Sequence, residues 1–595
     1  MISYFCTAAT EELPLSIRST IPSLLTAIVA LASCFGASAQ DSSRQQPTSI
    51  NLPIPSQYDS TKALAALRSR LDAVFGGPAH RSAQFSGYVV SLKRGNVLYE
   101  RNPNLMLTPA STTKLFSTAA AFHLFGPNGG INTDIHTDGR LDDKGTLHGN
   151  VYLIGRGDAL LTVNDLEDLA DKVRAAGVKR ITGNVYADNS HFDPVGDRAV
   201  YSGDGEQVQP MPPVAALTVN KGTVTVLVTG SVGGRVSVQT IPSSETFDVV
   251  IAGGAPAKGR RARRGRLQVN SRTLDNGFQQ FVVSGSPGAN RTVSKYVSMS
   301  RPALAAAGTL YSRLRAGGID IDGTVSEKHA PPAARRLVSF QRPLVDFASV
   351  VNKRSDNYLA EHVFKMVGAH CGDHTTTAVR AKKAMLEILD SLDIQRTGCL
   401  FNDGSGLSRR NRVSASIETN LLREIATQPY ADEFRATLAI AGRDGTLRGR
   451  MTGTRAEANL VGKTGTLRNV SALSGYVTTA DGEPLAFSFI SNGPSVGTYK
   501  ARENDAGAIL AAFSYRTPVV VPPPAAAVVP PAPERRSAIA PKKSVRRKTA
   551  TPQRQQPRHR IRQRGAGRTT GAIRRSTQKQ GRQKATTKRA RKRTR

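Results

Sequence analysis

Ser111-Thr112-Thr113-Lys114 is the first stretch of this 595-residue chain whose residue types and spacing promise chemistry. Positions i and i+3 of a helix share a face, so the hydroxyl and the amine can meet. A free serine hydroxyl is a weak nucleophile and needs a base beside it. A lysine serves as that base only where burial or a neighbouring cation depresses its pKa. Two more short motifs follow in order, Ser355-Asp356-Asn357 and Lys463-Thr464-Gly465-Thr466. Each is weak alone: Ser-x-x-Lys is common on helix surfaces, and Ser-Asp-Asn is more often a cap or a turn. Gly465 carries no side chain, which leaves a strand edge open for a peptide to pair along it.

The elements that must position these residues are legible around them. Pro109 opens a helix expected to run to Phe125 and to stop at Gly126-Pro127. Leu115, Phe116, Ala119, Ala120, Phe122, Leu124 and Phe125 leave it little polar face, so it belongs in a core. Helical spacing also covers Ser60–Phe75, Pro343–Val367, which includes the second motif, and Thr375–Leu392. Hairpins are expected at Phe85–Leu92 with Val97–Tyr99, and at Ala472–Thr478 with Leu485–Ile490 around Asp481-Gly482. The third motif directly precedes the second hairpin and is read as a strand. From about Asn132 to Leu337 short strands recur with glycine turns around one helix, Asn164–Ala176. Helical and hairpin segments thus bracket a β-rich insert, as in a discontinuous domain.

The three motifs, in this order and on these elements, resemble those of the penicillin-binding proteins and active-site serine β-lactamases. Their flanks narrow the likeness. Pro109-Ala110-Ser111-Thr112-Thr113-Lys114-Leu115, Ser355-Asp356-Asn357-Tyr358-Leu359-Ala360-Glu361, Asn402-Asp403-Gly404-Ser405-Gly406-Leu407-Ser408-Arg409 and Gly462-Lys463-Thr464-Gly465-Thr466 resemble the low-molecular-mass class C penicillin-binding proteins, which are D-alanyl-D-alanine carboxypeptidases and endopeptidases. The 244 positions between Ser111 and Ser355 agree, since that class carries an inserted β-rich region there and β-lactamases have a shorter separation. Gly157-Asp158-Ala159-Leu160 is similar to the family's Gly-Asp-Pro-x-Leu with alanine for proline, and the chain lacks the tryptophan common in such proteins.

The resemblance implies an α/β (α+β) penicillin-binding/β-lactamase-like transpeptidase fold, an antiparallel sheet flanked by helices. Residues 56–134 and 338–515 would form the peptidase domain, and 135–337 the inserted β-rich domains. It also implies roles. Ser111 attacks the D-Ala carbonyl, Lys114 takes its proton, Ser355 passes a proton to the leaving amine and Lys463 polarises Ser355. Asn357 orients the substrate amide. Thr464 and Thr466, with Gly465 between them, hold the terminal carboxylate, and the N–H groups of Ser111 and Thr466 form the oxyanion hole. Arg409 is the contact to the stem-peptide side chain, its alternative being an ordinary surface arginine. Peptidoglycan peptides and β-lactam antibiotics are the expected ligands; no cofactor or metal is indicated. The alternatives are a serine β-lactamase, which would deacylate quickly, and a catalytically silent envelope-binding protein, against which the intact Ser111, Lys114, Ser355, Asn357 and Lys463 stand.

The chain ends carry a separate message. Arg18, an apolar run from Ile21 to Gly36 and Ala37-Ser38-Ala39 read as an export signal over residues 1–39, with Glu11 and Glu12 as departures. Leu31-Ala32-Ser33-Cys34 offers a lipoprotein signal as the alternative. Either places the enzyme in the periplasm or cell envelope. Cys6 and Cys34 fall in that signal, which leaves Cys371 and Cys399 to pair in an oxidising compartment. The loop so closed, about 28 residues, is worth roughly 3–4 kcal/mol in the chain-entropy picture. Residues 516–534 form a Pro/Ala-rich linker. From Arg535 to Arg595 there are 24 Lys or Arg and no acid; without them the 81 basic residues fall to 57 against 45 acidic. That tail is expected to be disordered and to meet an anionic envelope surface. Export removes nucleic acid as its partner.

Overall fold

The computed structural model describes residues 60–205, 209–232, 235–252, 267–372 and 375–516. The expected export signal, the basic run Lys258–Arg266, the linker beyond Arg516 and the basic tail lie outside the described residues. Helix α1 (Ser60–Phe75) buries Ala63, Leu67, Leu71, Val74 and Phe75 along one face. The hairpin β1 (Gln84–Ser91) and β2 (Val97–Arg101) follows. A 3₁₀ turn, Ala110–Thr112, feeds α2 (Thr113–Phe125), in which every residue from Thr113 to Phe122 is buried. Gly126 ends the helix at φ +75°, a left-handed conformation that costs glycine nothing.

The insert comes next: β3 (Gly130–Thr137), β4 (Val151–Gly155), α3 (Val163–Ala175) and β5 (Val185–Asp188). Six strands follow, β6 (Thr223–Gly230), β7 (Val236–Ile241), β8 (Phe247–Ala252), β9 (Gln268–Thr273), β10 (Gln279–Ser284) and β11 (Arg291–Ser298). They form two three-stranded sheets in the orders β7-β6-β11 and β8-β10-β9. Helix α4 (Pro302–Ala316), β12 (Val325–Glu327) and β13 (Arg335–Pro343) bring the chain back. Strands β12-β5-β4-β3-β13 make a five-stranded mixed sheet in which β3 and β13, the way out and the way back, pair antiparallel. This region has its own core, with Ile135, Leu153, Leu166, Val226, Phe281 and Leu310 among its members. The expectation of a single helix here is corrected by α4. Its run Ala303-Leu304-Ala305-Ala306-Ala307 is buried throughout, so it shows no amphipathic stripe to read. Arg342 on β13 clasps Asp158 of the Gly-Asp-Ala-Leu turn through Nε at 2.9 Å to each carboxylate oxygen, tying the exit of the insert to its entrance.

The main elements that follow are α5 (Leu344–Lys353), α6 (Asn357–His370), α7 (Thr377–Ser391), α8 (Ala415–Ile425), β14 (Ala439–Ile440), β15 (Val461–Leu467), β16 (Val470–Thr478), β17 (Pro484–Asn492) and α9 (Val496–Ala511). They rejoin the N-terminal hairpin in one sheet, β14-β15-β16-β17-β1-β2, antiparallel throughout. Side chains alternate across a strand, and both faces are covered. Ala472, Tyr476, Ala486 and Ile490 join a core with residues of α2, α6 and α8. Leu473, Val477, Leu485, Phe487 and Phe489 join another with residues of α1 and α9. The result is a helix–sheet–helix sandwich, the antiparallel sheet flanked by helices that the sequence led one to expect.

Candidate active site

Ser111 lies in the 3₁₀ turn and Lys114 in the first turn of α2. The turn is set by Ala110, held at φ +53°. Gly406 packs so closely on it that a Cβ there would overlap the Ala110 carbonyl oxygen. Lys114 Nζ lies 3.0 Å from Ser111 Oγ, 2.8 Å from Asn357 Oδ1 and 2.5 Å from the Ser405 carbonyl oxygen. Nζ donates to all three, which matches the three N–H groups of an ammonium; loss of one proton would leave a lone pair for the Ser111 hydroxyl. Burial pulls the Lys114 pKa down to about 8, while the nearby Asp403, Glu361 and Asp356 carboxylates hold it from falling further.

The second motif departs from the expected continuous helix. Ser355 breaks it at φ +56° between α5 and α6, and Asp356 caps α6 by accepting the Leu359 N–H at 3.0 Å. The break is functional in shape: it turns Ser355 toward the sheet, where Lys463 Nζ donates to its hydroxyl at 2.8 Å and to the Thr464 carbonyl at 2.8 Å. The insert grips the same loop through Lys221 Nζ, 2.6 Å from Asp356 Oδ2. Asn357 Nδ2 donates to Gln209 Oε1 at 2.5 Å. Lys463 is fully buried. Burial lowers its pKa well below the ordinary lysine value, Lys114 lowers it further, and Glu418 opposes both.

The third motif stands on β15. Among the described residues β14 pairs only with Val461 and Gly462, so the outer edge from Lys463 onward has no strand partner. Gly465 serves a second purpose as well: a Cβ there would strike the Pro109 carbonyl oxygen behind the serine turn. Thr464 Oγ1 donates to Thr446 Oγ1 at 2.8 Å, and Thr466 is exposed at the open edge. Arg409 donates to the Arg468 carbonyl at 2.9 Å, which joins the Asp403–Arg409 loop to the turn after β15.

Several residues that build the site have no motif to announce them. Glu361, one turn into α6, accepts the Ser405 N–H at 2.9 Å and the Tyr201 hydroxyl at 2.8 Å. Burial and the neighbouring Asp403 push it up to about 7. Asp403 accepts from the N–H groups of Gly406 and Ser408, at 2.9 and 2.7 Å, and pairs with Arg198 of the insert at 3.2 Å. Together they fix the loop whose Ser405 carbonyl holds Lys114. An acid inside the apolar run Tyr358-Leu359-Ala360-Glu361-His362-Val363-Phe364 was the available signal. His362 is an ordinary helix residue: its ring nitrogens lie 2.8 and 3.1 Å from the Tyr358 and Ala215 carbonyls.

The disulfide expected between Cys371 and Cys399 is not formed in the structure. Cys371 stands where α6 ends and Cys399 follows the Gly398 turn, and both pack as small apolar groups against the main core. Burial pushes the Cys399 thiol up to about 12, which keeps it protonated and unreactive.

The fold and the site define a serine acyl-transfer enzyme of the penicillin-binding/β-lactamase-like type. More narrowly, residues 67–513 match the D-Ala-D-Ala carboxypeptidase 3 (S13) family, and the chain belongs to it. It is 33% identical over 466 residues to the D-alanyl-D-alanine carboxypeptidase of an Actinomadura species, spanning 74% of this chain and 84% of that protein. It is 27% identical over 428 residues to D-alanyl-D-alanine carboxypeptidase DacB of Haemophilus influenzae, spanning 70% and 87%. The crystal structure of penicillin binding protein 4 (dacB) from Haemophilus influenzae covers 75% of this chain and 97% of its own at 24% identity, with a TM-score of 0.57. The protein is a serine D-alanyl-D-alanine peptidase.

Proposed function

We propose that Ser111 is the nucleophile and Lys114 its base, and that the enzyme acts on both stem peptides and cross-links of peptidoglycan. The observation that carries this reading is the meeting of two serine–lysine pairs, from three separate elements, beside an open strand edge. A D-Ala–D-Xaa peptide adds along β15 with its carboxylate at Thr464 and Thr466 and its amide at Asn357. Ser111 Oγ attacks the carbonyl and its proton passes to Lys114 Nζ. The oxyanion forms against the N–H groups of Ser111 and Thr466, each such donor being worth about 10²–10³ in rate. The C–N bond breaks as Ser355, polarised by Lys463, hands its proton to the leaving amine and recovers one from the Lys114 ammonium; water then hydrolyses the ester and returns a proton to Ser111. A β-lactam enters as the carbonyl donor and leaves Ser111 acylated. Purified cross-linked muropeptides are the test: loss of D-Ala and separation of dimers into monomers, read by mass, are expected. Intact muropeptides alongside rapid penicillin turnover would favour the β-lactamase alternative.

The same reading extends to the ends and the insert. Residues 135–337 act as an accessory module that buttresses the Ser355 loop, and the chain is exported through its N-terminal signal. The tail from Arg535 tethers the enzyme to anionic envelope material, each cation contributing about 1 kcal/mol near such a surface. Deleting Glu534–Arg595 is expected to leave hydrolysis of a small peptide unchanged and to reduce sedimentation with isolated walls or membranes at low salt. Equal sedimentation of both forms would assign the tail no tethering role.

A further inference from the structure

Glu418, fully buried on α8, has no place in the steps above, yet three hydroxyls converge on it. Thr112 Oγ1, one residue beyond the nucleophile, donates to Oε1 at 2.6 Å. Ser474 Oγ on β16 and Ser488 Oγ on β17 donate to Oε2 at 2.5 and 2.9 Å. Ser474 is the direct cross-strand partner of Lys463, and Ser488 of Ser474; paired residues of antiparallel strands present their side chains on the same face. One carboxyl group therefore links the serine turn to β16 and β17, and through Ser474 it reaches the cross-strand neighbour of Lys463.

Among the described residues no Lys or Arg forms an ion pair with this carboxylate. The titratable groups that face it are Lys463 on β15 and the Cys399 thiol on the segment after α7. A buried carboxylate without an ion pair is costly unless it is hydrogen-bonded and balanced by charge nearby. The hydroxyls meet the first condition; the second needs Lys463 to be an ammonium. Lys114 has its own acids in Asp403, Glu361 and Asp356, whereas the acid that opposes the lowering of Lys463 is Glu418.

We propose that Glu418 is a positioning residue of the acyl-transfer centre: its carboxylate, held by Thr112, Ser474 and Ser488, is the counter-charge that keeps Lys463 an ammonium while Lys114 is the neutral base. The inference rests on the reading of Lys114 as base. Its test is the pH profile of penicillin acylation, measured from about pH 6 to 10 on the full chain, where the two limbs report the free enzyme's base and acid. Glu418→Gln removes the charge and nearly preserves the shape. Loss of a negative charge makes the Lys463 ammonium easier to deprotonate, so the alkaline limb is expected to move down by about one unit, a rate about tenfold lower above it. Glu418→Asp keeps the charge and is expected to keep the limb even if the plateau falls. An alkaline limb that stays in place in Glu418→Gln, whatever the plateau does, overturns the proposal and leaves a packing role. If Glu418→Gln does not fold, Ser488→Ala removes one donor and is expected to move the limb the same way by less; an unmoved limb there overturns it equally. Failure of the underlying reading looks different, because the wild-type enzyme would then not be acylated at Ser111 at all.

Discussion

The two serine–lysine pairs have nearly the same bond, 3.0 Å at Ser111–Lys114 and 2.8 Å at Ser355–Lys463, and quite different surroundings. Lys114 is bound by a side-chain amide and a loop carbonyl, in a pocket ringed by the acids of the insert-facing side. Lys463 is bound by its own strand, and the charge of Lys114 helps to lower its pKa. The first pair is one i,i+3 unit across the junction of the 3₁₀ turn and α2, so its geometry is set mainly by local folding. The second joins a strained loop residue to a strand 108 positions away, so its geometry is set by the tertiary structure. Burial depresses both amines, and what separates their roles is which acceptors and which acids each one finds.

The sharpest way to break the comparison is to remove the members one at a time. Ser111→Ala is expected to abolish covalent penicillin labelling and to lower peptide hydrolysis at least about 10³-fold, with the folded state intact by circular dichroism. Lys114→Ala should be nearly as damaging, because groups that act as a unit do not add. Lys463→Ala removes a polarising group rather than the base, and a loss of about 10²-fold is expected in the acylation rate. Equal losses in Lys114→Ala and Lys463→Ala would erase the distinction between the pairs.

A milder change acts on the first pair through the backbone. Gly406 stands at φ +81° against the Ala110 carbonyl. Alanine there must displace the turn or strain it by about 1–3 kcal/mol. A fall in acylation of roughly tenfold or more is expected, together with a lower melting temperature. A melting temperature that falls while acylation is unchanged would show that the turn moves without carrying Ser111.

The pH dependence sharpens the comparison without mutation. In the proposed mechanism Lys114 acts as the neutral amine, and burial pulls its pKa down to about 8. Acylation should therefore rise as pH increases through 8. The same depressed value means that the folded protein binds fewer protons here than the unfolded chain between pH 8 and the ordinary lysine value of 10.5. Its contribution to stability thus rises with pH across that window and is absent below it. A profile with no ascending limb near pH 8 would exclude Lys114 as the base.

What could be read in advance follows the same division. The motifs, α1, both hairpins and the end of α2 at Gly126 were legible because each is set by near neighbours: leucine spacing, turn residues, a glycine stop. The break at Ser355 was not, because its left-handed backbone is imposed by the contacts of Lys463 and Lys221. Helix α4 was hidden by being buried on every side, and the helix over Val496–Ala511 by alternating small and charged residues with no clear stripe. Glu361 and Glu418 were not legible as site residues because the groups they bind lie tens to hundreds of positions away; Asp403 binds its own loop, but its pairing with Arg198 spans 205 positions. The cysteine pairing failed for the opposite reason: the count and the compartment invited it, and the packing used each thiol as a small apolar group.

The smallest expected effect comes from the insert's grip on the second pair. Lys221 sits at φ +54° and reaches Asp356, while the Tyr358 hydroxyl donates to the Pro213 carbonyl at 3.0 Å. Asp356 keeps its capping bond to Leu359 without Lys221, so the helix start survives the loss. The ion pair is partly exposed, with 38% of the lysine side chain and 19% of the aspartate accessible. Such pairs are worth at most about 1 kcal/mol and weaken with salt. Lys221→Ala is therefore expected to lower acylation about two- to fivefold, through Ser355 rather than Ser111. The low-salt advantage of the wild-type enzyme over the variant should shrink as ionic strength rises. If Lys221→Ala instead matches the loss in Lys463→Ala, the insert sets the geometry of the second pair outright, and the Ser355 loop has no stable position without it.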